Sequence, residues 1–548
     1  MKKRLSLLLA IFLIFSMVAV PSAAASYETL KIGLYYGTNA LSAANLQNVS
    51  EQATGYQLGY YDTSRNFIPL YSTNETYITV TKDKNMYIGD GKVYYDSLPS
   101  SYHTVIGAYH LQLDTVASSL DEALALISTL SNAGLSAFVA YTAEGYRVRV
   151  GNYTSSVEAA AIAPQVSAAV GLTASAVGES RSCYTVTVTE TNTILFEFDM
   201  GGQALGIEPN SDETWFKNQT YYGGFEYRRA SGDDITVVNV VSMDDYIKGV
   251  IPYEMSPSWP IEALKAQALC AKSYAVTCIG KHNSQGFDLC NTTDCQVYYG
   301  TKTATDNSDS AVEAVSGLYV LYNGEVAETY YHASSGGWTE DAKNIWGTDI
   351  PYLKAVEDTY LTELRPYSFS ITLSEVTSIL QGKGYDVTDI TDFYVSEFTP
   401  AGNVREITFV QSNGETLVFS GERARTCLNT SSSTKHINSH RYTVSTDAQL
   451  YVNGTVPDKA IGQYYAIGGD GSTSVLSGSQ LYAVNGNKTT SQIDMSGSGS
   501  GQYVISGTGS GHNIGMSQCG ARDMANQGFT YEQIIQFYFT GVQVGPAN

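Results

Sequence analysis

DDYIKGVIPYEMSPSWPIEALKAQALCAKSYAVTCIGKHNSQGFDLCNTTDCQVYYG, residues 244–300, organises the chain. Its first part reads as a strand-like approach through Val250 and Ile251 that ends at Glu254, with Met255, Trp259 and two prolines behind it. A carboxylate in apolar, aromatic company has a raised pKa, which suits a general acid near neutral pH. The plainer alternative is a solvated glutamate before a turn. Pro260 suits a first helical position. Leu264, Ala268, Ala271, Ala275 and Cys278 then recur at helical spacing as one buried stripe of small residues, which is core packing and carries no chemistry. Cys290 and Cys295 close the stretch in a tight loop.

Outward from this stretch the pattern is mixed. Residues 185–200 (TVTVTETNTILFEFDM) and 234–241 alternate as strands leading to Tyr246. Downstream, 316–322 and 326–331 read as paired strands joined at Asn323-Gly324, a hairpin turn signal, and deliver His332 in HASSGG, whose bland reading is a polar turn. VREITFVQ (404–411), Asn413-Gly414 and ETLVF form another hairpin, Gly and Ser dominate 454–511, SGSGSG (496–501) reads as a flexible loop, and 531–539 as a short closing helix. In GHNIGMSQCGA (511–521), His512 and Gln518 offer polar contacts.

Toward the N-terminus, residues 1–25 read as a secretory signal: Lys2, Lys3 and Arg4, an apolar run from Leu5 to Val20, then small residues at 23–25. The run is short for a full span, so cleavage is expected, with retention as an anchor the alternative. Residues 26–101 are β-rich, with Leu30, Ile32 and Leu34 on one face. Residues 102–180 hold an internal repeat. Strand 109–113, a helix capped by Ser119 and Glu122, and strand 137–141 are followed by strand 146–150, a helix capped by Ser155 and Glu158, and strand 173–177. Two βαβ units make a small sheet with helices on one side. The expected architecture is multidomain α+β.

Composition limits the partners. The chain has 548 residues, enough for several cores. A net charge of -22 argues against nucleic acid, because phosphate binding needs a basic surface. Seven cysteines are an odd number for an exported chain, so at least one is unpaired, metal-bound or joined to another chain. Cys270 and Cys278 lie two helical turns apart, too far for a bridge.

The run Tyr246–Met255, then EALKAQALCAKSYA (262–275), CNTTDCQVY (290–298), HASSGG (332–337), 339–346 and GHNIGMSQCGA (511–521) resemble the SpoIID/LytB family of cell-wall proteins. The tandem βαβ unit with YRVRVGNYTS (146–155) resembles a SPOR domain, a family that binds glycan strands stripped of stem peptides. The first resemblance implies a lytic transglycosylase acting on peptidoglycan glycan strands, with 183–548 as the catalytic region and its core motifs in 234–347 and 502–545. It implies Glu254 as the acid/base and His332, Ser334, Ser335, His512 and Gln518 in the substrate cleft. No cofactor is required for that chemistry. The pattern departs from the family at Asn513, where glycine is usual, and at Asp294, where histidine is usual and ligates zinc in members that carry it. Cys290, Cys295, Asp294 and upstream His282 therefore form a candidate structural zinc site, against a Cys290–Cys295 disulfide. Asp244, Asp245, Glu262, Glu340 and Asp341 stand as candidates for a second carboxylate. The alternative function is a non-catalytic wall-binding enhancer of an N-acetylmuramoyl-L-alanine amidase. A muramidase that adds water is a third reading.

Overall fold

A computed structural model describes residues 27–49, 54–229, 234–446, 465–467, 473–475, 481–484, 490–493 and 502–547. The signal-like segment 1–25 and the SGSGSG run lie outside the described residues.

Two sheets build the first half. The seven-stranded sheet runs Leu289–Cys290, Thr29–Tyr35, Ile235–Ser242, Gly224–Arg229, Leu205–Pro209, Tyr56–Tyr61, Phe67–Thr73 in spatial order. The ten-stranded sheet runs Ala174–Val177, Tyr109–Leu113, Gly145–Tyr153, Ala137–Thr142, Ile194–Asp199, Tyr184–Val188, Tyr77–Lys82, Ala43–Asn48, Glu213–Phe216, Gln219–Tyr222. The N-terminal strands are thus interleaved with strands from 184–242. Thr29–Tyr35 pairs antiparallel with Ile235–Ser242, Leu30 opposite Val241, so the strands between 29 and 82 belong to the two main sheets, while Met86–Gly89 and Val93–Tyr95 join Thr104–Ile106 in a small sheet of their own. Leu30, Ile32 and Leu34 are buried, as their alternation requires.

The tandem βαβ unit has the expected elements. Helix α1 (Leu120–Asn132) follows the first strand; α2 (Ser156–Ala161) and α3 (Ala163–Val170) follow the third. Ser119 and Ser155 accept the N–H groups of Glu122 and Glu158. The glutamates reach one residue beyond the cap, to Ser118 and Thr154. The unit does not stand alone: its strand Ala137–Thr142 lies parallel to Ile194–Asp199, Val139 opposite Phe196, so its sheet extends the main one.

The approach to Glu254 is a helix, not a strand. α4 (Met243–Glu254) starts at Ser242, whose hydroxyl accepts from Asp245 N–H, with Asp244 and Asp245 in the first turn. Met243, Tyr246, Ile247, Val250 and Ile251 are its buried face, a period of three and four that outweighs the local β-branched residues. α5 (Ile261–Cys278) is buried on almost every side, beyond the stripe read from sequence. It packs against α4, α6 (Asp306–Glu313) and the strand Leu318–Tyr322. The hairpin turn at Asn323 and Gly324 has both residues at positive φ (52° and 86°), as a type I′ turn demands. After α7 (Ala342–Trp346) the chain leaves for a second core, built from Pro366–Thr372, α8 (Leu373–Gly382), Ile390–Phe398, Val404–Gln411, Thr416–Ser420, α9 (Glu422–Thr426), Tyr442–Thr446 and Gln502–Thr508. It then returns to the first core with Met516–Ser517, α10 (Gln518–Asn526) and α11 (Tyr531–Tyr538), and both helices pack on α5. No described helix is long and apolar enough to cross a membrane.

Candidate active site and metal centre

Glu254 ends α4, half-buried, where the helix meets the loop 291–300 and the start of α10. Its carboxylate is held by the Gln518 side chain, the Tyr331 hydroxyl and the Val297 N–H. Burial raises its pKa above the ordinary glutamate range, and these three contacts pull the other way. The supporting side chains are themselves held. Tyr331 Oη lies 2.9 Å from Gln296 Oε1, and Gln296 Nε2 donates to Ala271 O (3.1 Å) and Tyr246 Oη (3.3 Å). Gln518 Nε2 also reaches Gln267 Oε1 at 3.4 Å. Tyr253 and Trp259 flank the glutamate in sequence: Tyr253 meets exposed Tyr299 edge to face at 5.4 Å, and Arg522 lies over Trp259 at 5.2 Å.

Of the residues assigned to the cleft, only Gln518 contacts Glu254. Tyr331 and His332 are neighbours on one short strand, so their side chains point oppositely: Tyr331 faces Glu254 and His332 faces His512, ring centres 5.5 Å apart. His332 is buried; Nδ1 donates to Ile514 O at 3.1 Å, and desolvation pushes its pKa down to about 3. His512 packs on Trp346 and Tyr330, and burial lowers it to about 4. Ser334 and Ser335 are wholly buried. Ser335 Oγ donates to Asp358 Oδ2 (2.6 Å), and Ser334 N–H pairs with Ser510 O (3.0 Å). These two serines are buried in the wall behind the site. Asn513 takes the glycine position of the family with φ 64°, and its amide donates to Ser335 O (2.8 Å) and Trp338 O (3.2 Å). Asparagine tolerates this left-handed conformation, so the turn survives the departure.

The candidates for a second carboxylate are occupied elsewhere. Asp244 pairs with buried Lys272 at 2.6 Å, and the Asp245 carboxylate accepts the Ser242 hydroxyl at 2.7 Å. Glu262 holds Lys265 (2.7 Å) and Tyr531 N–H (2.8 Å). Glu340, wholly buried, accepts from Thr399, Asn403, Asn344 and Asp341 N–H, and Asp341 caps α7. Reading from sequence missed Tyr331, Gln296, Gln267 and the Val297 N–H. A polar Gln267 within the Ala-rich helix was the one visible signal.

The loop that supplies Gln296 and Val297 also carries the cysteine pair. The donor atoms of His282, Cys290, Asp294 and Cys295 all lie within 4.8 Å of one another. His282 Nε2 is 3.3 Å from Cys295 Sγ and 3.4 Å from Asp294 Oδ2. Both thiols are free, so the disulfide alternative is not formed. Hydrogen bonding from Cys295 lowers the Cys290 thiol to about 4, and the same contact raises Cys295. One nitrogen, two sulfurs and one oxygen suit tetrahedral zinc, and Asp294 stands in the place of the usual histidine.

Residues 231–322 match the SpoIID family (Stage II sporulation protein), and 106–178 match the SPOR domain. Similar proteins include an uncharacterized protein of Brachyspira hyodysenteriae, 28% identical over 65% of this chain and 77% of the relative. The amidase enhancer of Bacillus subtilis is 31% identical over 54% of this chain but only 39% of its own length. The Stage II sporulation protein D of Bacillus subtilis is 24% identical over 63% of this chain and 88% of the relative. Fold and matches together define a cell-wall-related protein of the sporulation and wall-remodelling class, whose families are extracytoplasmic or wall-associated. It carries a SpoIID domain and a SPOR domain, and its similarity to Stage II sporulation protein D and to the amidase enhancer is consistent with the SpoIID/LytB family.

Proposed function

We propose that the chain is a secreted lytic transglycosylase that cleaves the bond between N-acetylmuramic acid and N-acetylglucosamine in peptidoglycan. The observation that carries this reading is Glu254: a half-buried carboxyl with a raised pKa, with Gln518, Tyr331 and the Val297 N–H around it. Protonated, it gives its proton to the glycosidic oxygen as that bond breaks. The carboxylate left behind is stabilised by the Val297 N–H, Gln518 and Tyr331, which are already in place. It then takes the proton of the muramic acid C6 hydroxyl as that oxygen attacks the anomeric carbon, leaving a 1,6-anhydro end. Because the nucleophile is part of the substrate, no water-activating base is needed and orientation supplies much of the rate. The structural engagement of Asp244, Asp245, Glu262, Glu340 and Asp341 supports a single-carboxylate mechanism. His282, Cys290, Asp294 and Cys295 would hold a structural zinc, which would brace the loop that presents Gln296 and Val297. The SPOR domain brings the enzyme to glycan strands, including those without stem peptides.

Mass spectrometry of glycan strands, with and without stem peptides, tests this. The protein yields products one water lighter than hydrolysed ones, and Glu254→Gln yields none. Products with water added make it a muramidase. The likeness to the amidase enhancer favours a second reading, a wall-binding partner of an amidase. Folded protein that cleaves nothing, together with a Glu254→Gln variant that still stimulates an amidase fully, selects that reading.

A further inference from the structure

A second group of metal-ligand side chains lies at the seam between the SPOR domain and the main sheet. Asp83 follows the strand Tyr77–Lys82, Glu197 sits on Ile194–Asp199, and His110 on the first SPOR strand, Tyr109–Leu113. All three are buried, with 2%, 0% and 1% exposure. Their donor atoms lie within 4.8 Å of one another.

The hydrogen bonds around the group leave a gap. His110 Nδ1 meets Gly151 O at 2.8 Å, so Nδ1 carries the proton and Nε2 presents a lone pair. Nε2 is 3.1 Å from Glu197 Oε1, an ion pair only if His110 is protonated, and makes no geometric hydrogen bond. Asp83 Oδ2 accepts Ser180 N–H at 2.9 Å, while Asp83 Oδ1 has no partner. Glu197 Oε2 takes Arg149 Nη1 at 2.6 Å and Oε1 takes Thr185 Oγ1 at 3.2 Å. Two orphaned buried atoms, one a carboxylate oxygen, are each expensive. Arg149 offsets only one of the two carboxylates. The 3.1 Å between His110 Nε2 and Glu197 Oε1 is the separation of two ligands on one ion, since zinc–ligand bonds of about 2 Å place neighbouring ligands roughly this far apart.

We propose that Asp83, His110 and Glu197 bind a divalent transition-metal ion, zinc by donor type, which staples the SPOR domain to the main sheet. One imidazole and two carboxylates satisfy both orphaned atoms through a single ion, with Arg149 as the outer partner of Glu197. The three ligands come from strands far apart in sequence, so the ion closes the join made by the parallel pairing of Ala137–Thr142 with Ile194–Asp199. This site is independent of the Glu254 reading.

The full chain, loaded with zinc chloride and desalted, is assayed for bound metal beside the Cys290→Ser/Cys295→Ser variant. That variant is expected to retain one ion per chain and to lose it when Asp83→Asn is added, with unchanged far-ultraviolet circular dichroism. Cobalt loading of the double-serine variant is expected to show d–d bands without thiolate charge transfer. If Asp83→Asn fails to fold, the double-serine variant alone decides: a folded double-serine chain that binds no zinc and gives no cobalt spectrum overturns the site and makes the group a charge-balanced cluster with protonated His110.

Discussion

Gly249 lies on the buried side of α4, five residues before Glu254, and a methyl group there has nowhere to go. A Cβ would stand 2.3 Å from Tyr298 Cε2 and 2.9 Å from Cδ2. Ordinary carbon contacts are about 3.5–4.0 Å, so ring or helix must shift by roughly 1.2 Å (from 2.3 Å to 3.5 Å). The ring cannot swing away cheaply. Tyr298 is wholly buried, donates to Asn239 Oδ1 at 2.7 Å and packs on Tyr246 at 4.9 Å. Overpacking costs about 1–3 kcal/mol, and straining the Tyr298–Asn239 bond adds up to about 1 kcal/mol. The helix propensity of alanine returns only about 1 kcal/mol. The expected net loss for Gly249→Ala is therefore up to about 3 kcal/mol, with a midpoint of about 1.5 kcal/mol. Gly382, at the exposed end of α8, is the control: its Cβ meets nothing within 4 Å, so Gly382→Ala is expected to gain up to about 1 kcal/mol. Calorimetric and denaturant unfolding of both variants check this, each read on its own transition because the two glycines belong to different cores. A Gly249→Ala protein as stable as the parent refutes the packing argument. Where the variant folds, the displaced α4 shifts Glu254 against Val297, so glycan cleavage is expected to fall more than stability does.

Glu254→Gln is expected to stabilise the fold at neutral pH while abolishing cleavage. The folded pKa of Glu254 is raised, so its contribution is full below the unfolded glutamate value and is lost as pH rises through the folded one. The stability gap between variant and parent therefore closes in acid, which a pH series of thermal unfolding shows. Glu422 behaves oppositely. His440 and Arg425 hold it down to about 2, so its stabilisation is present above the ordinary glutamate range and is lost as pH falls from there toward about 2. Glu422→Gln is expected to flatten acid unfolding of the second core. Asp358→Ala strands the hydroxyls of Ser335 (2.6 Å) and Tyr538 (2.8 Å) in the core behind the site, at an expected cost of about 2–4 kcal/mol measured by denaturant titration. Zinc release on Cys295→Ser, followed with a chromogenic chelator, is expected to accompany a drop in cleavage, because the loop bearing Val297 loses its anchor.

Much of this protein was legible in one dimension. Residues that act locally announce themselves by spacing. The βαβ repeat, with its serine caps, and the Asn323-Gly324 turn follow from side-chain periodicity and from backbone torsions that few residues accept. Glu254 and the four donors of the loop group were visible as residue types in short stretches. Tertiary structure decided the rest, because it depended on contacts between distant segments. α4 is helical because Met243, Tyr246, Ile247, Val250 and Ile251 all find a core on one side, although two of the last residues before Glu254 favour strands. Strand alternation, once Tyr331 pairs beside Met516, turns Tyr331 toward Glu254 and His332 away from it. The N-terminal strand joins the main sheet opposite residues two hundred positions later, and Asp83, His110 and Glu197 meet only because that sheet and the SPOR sheet are continuous. Sequence spacing encodes neighbours along one element; which elements become neighbours is set by the burial of all of them together.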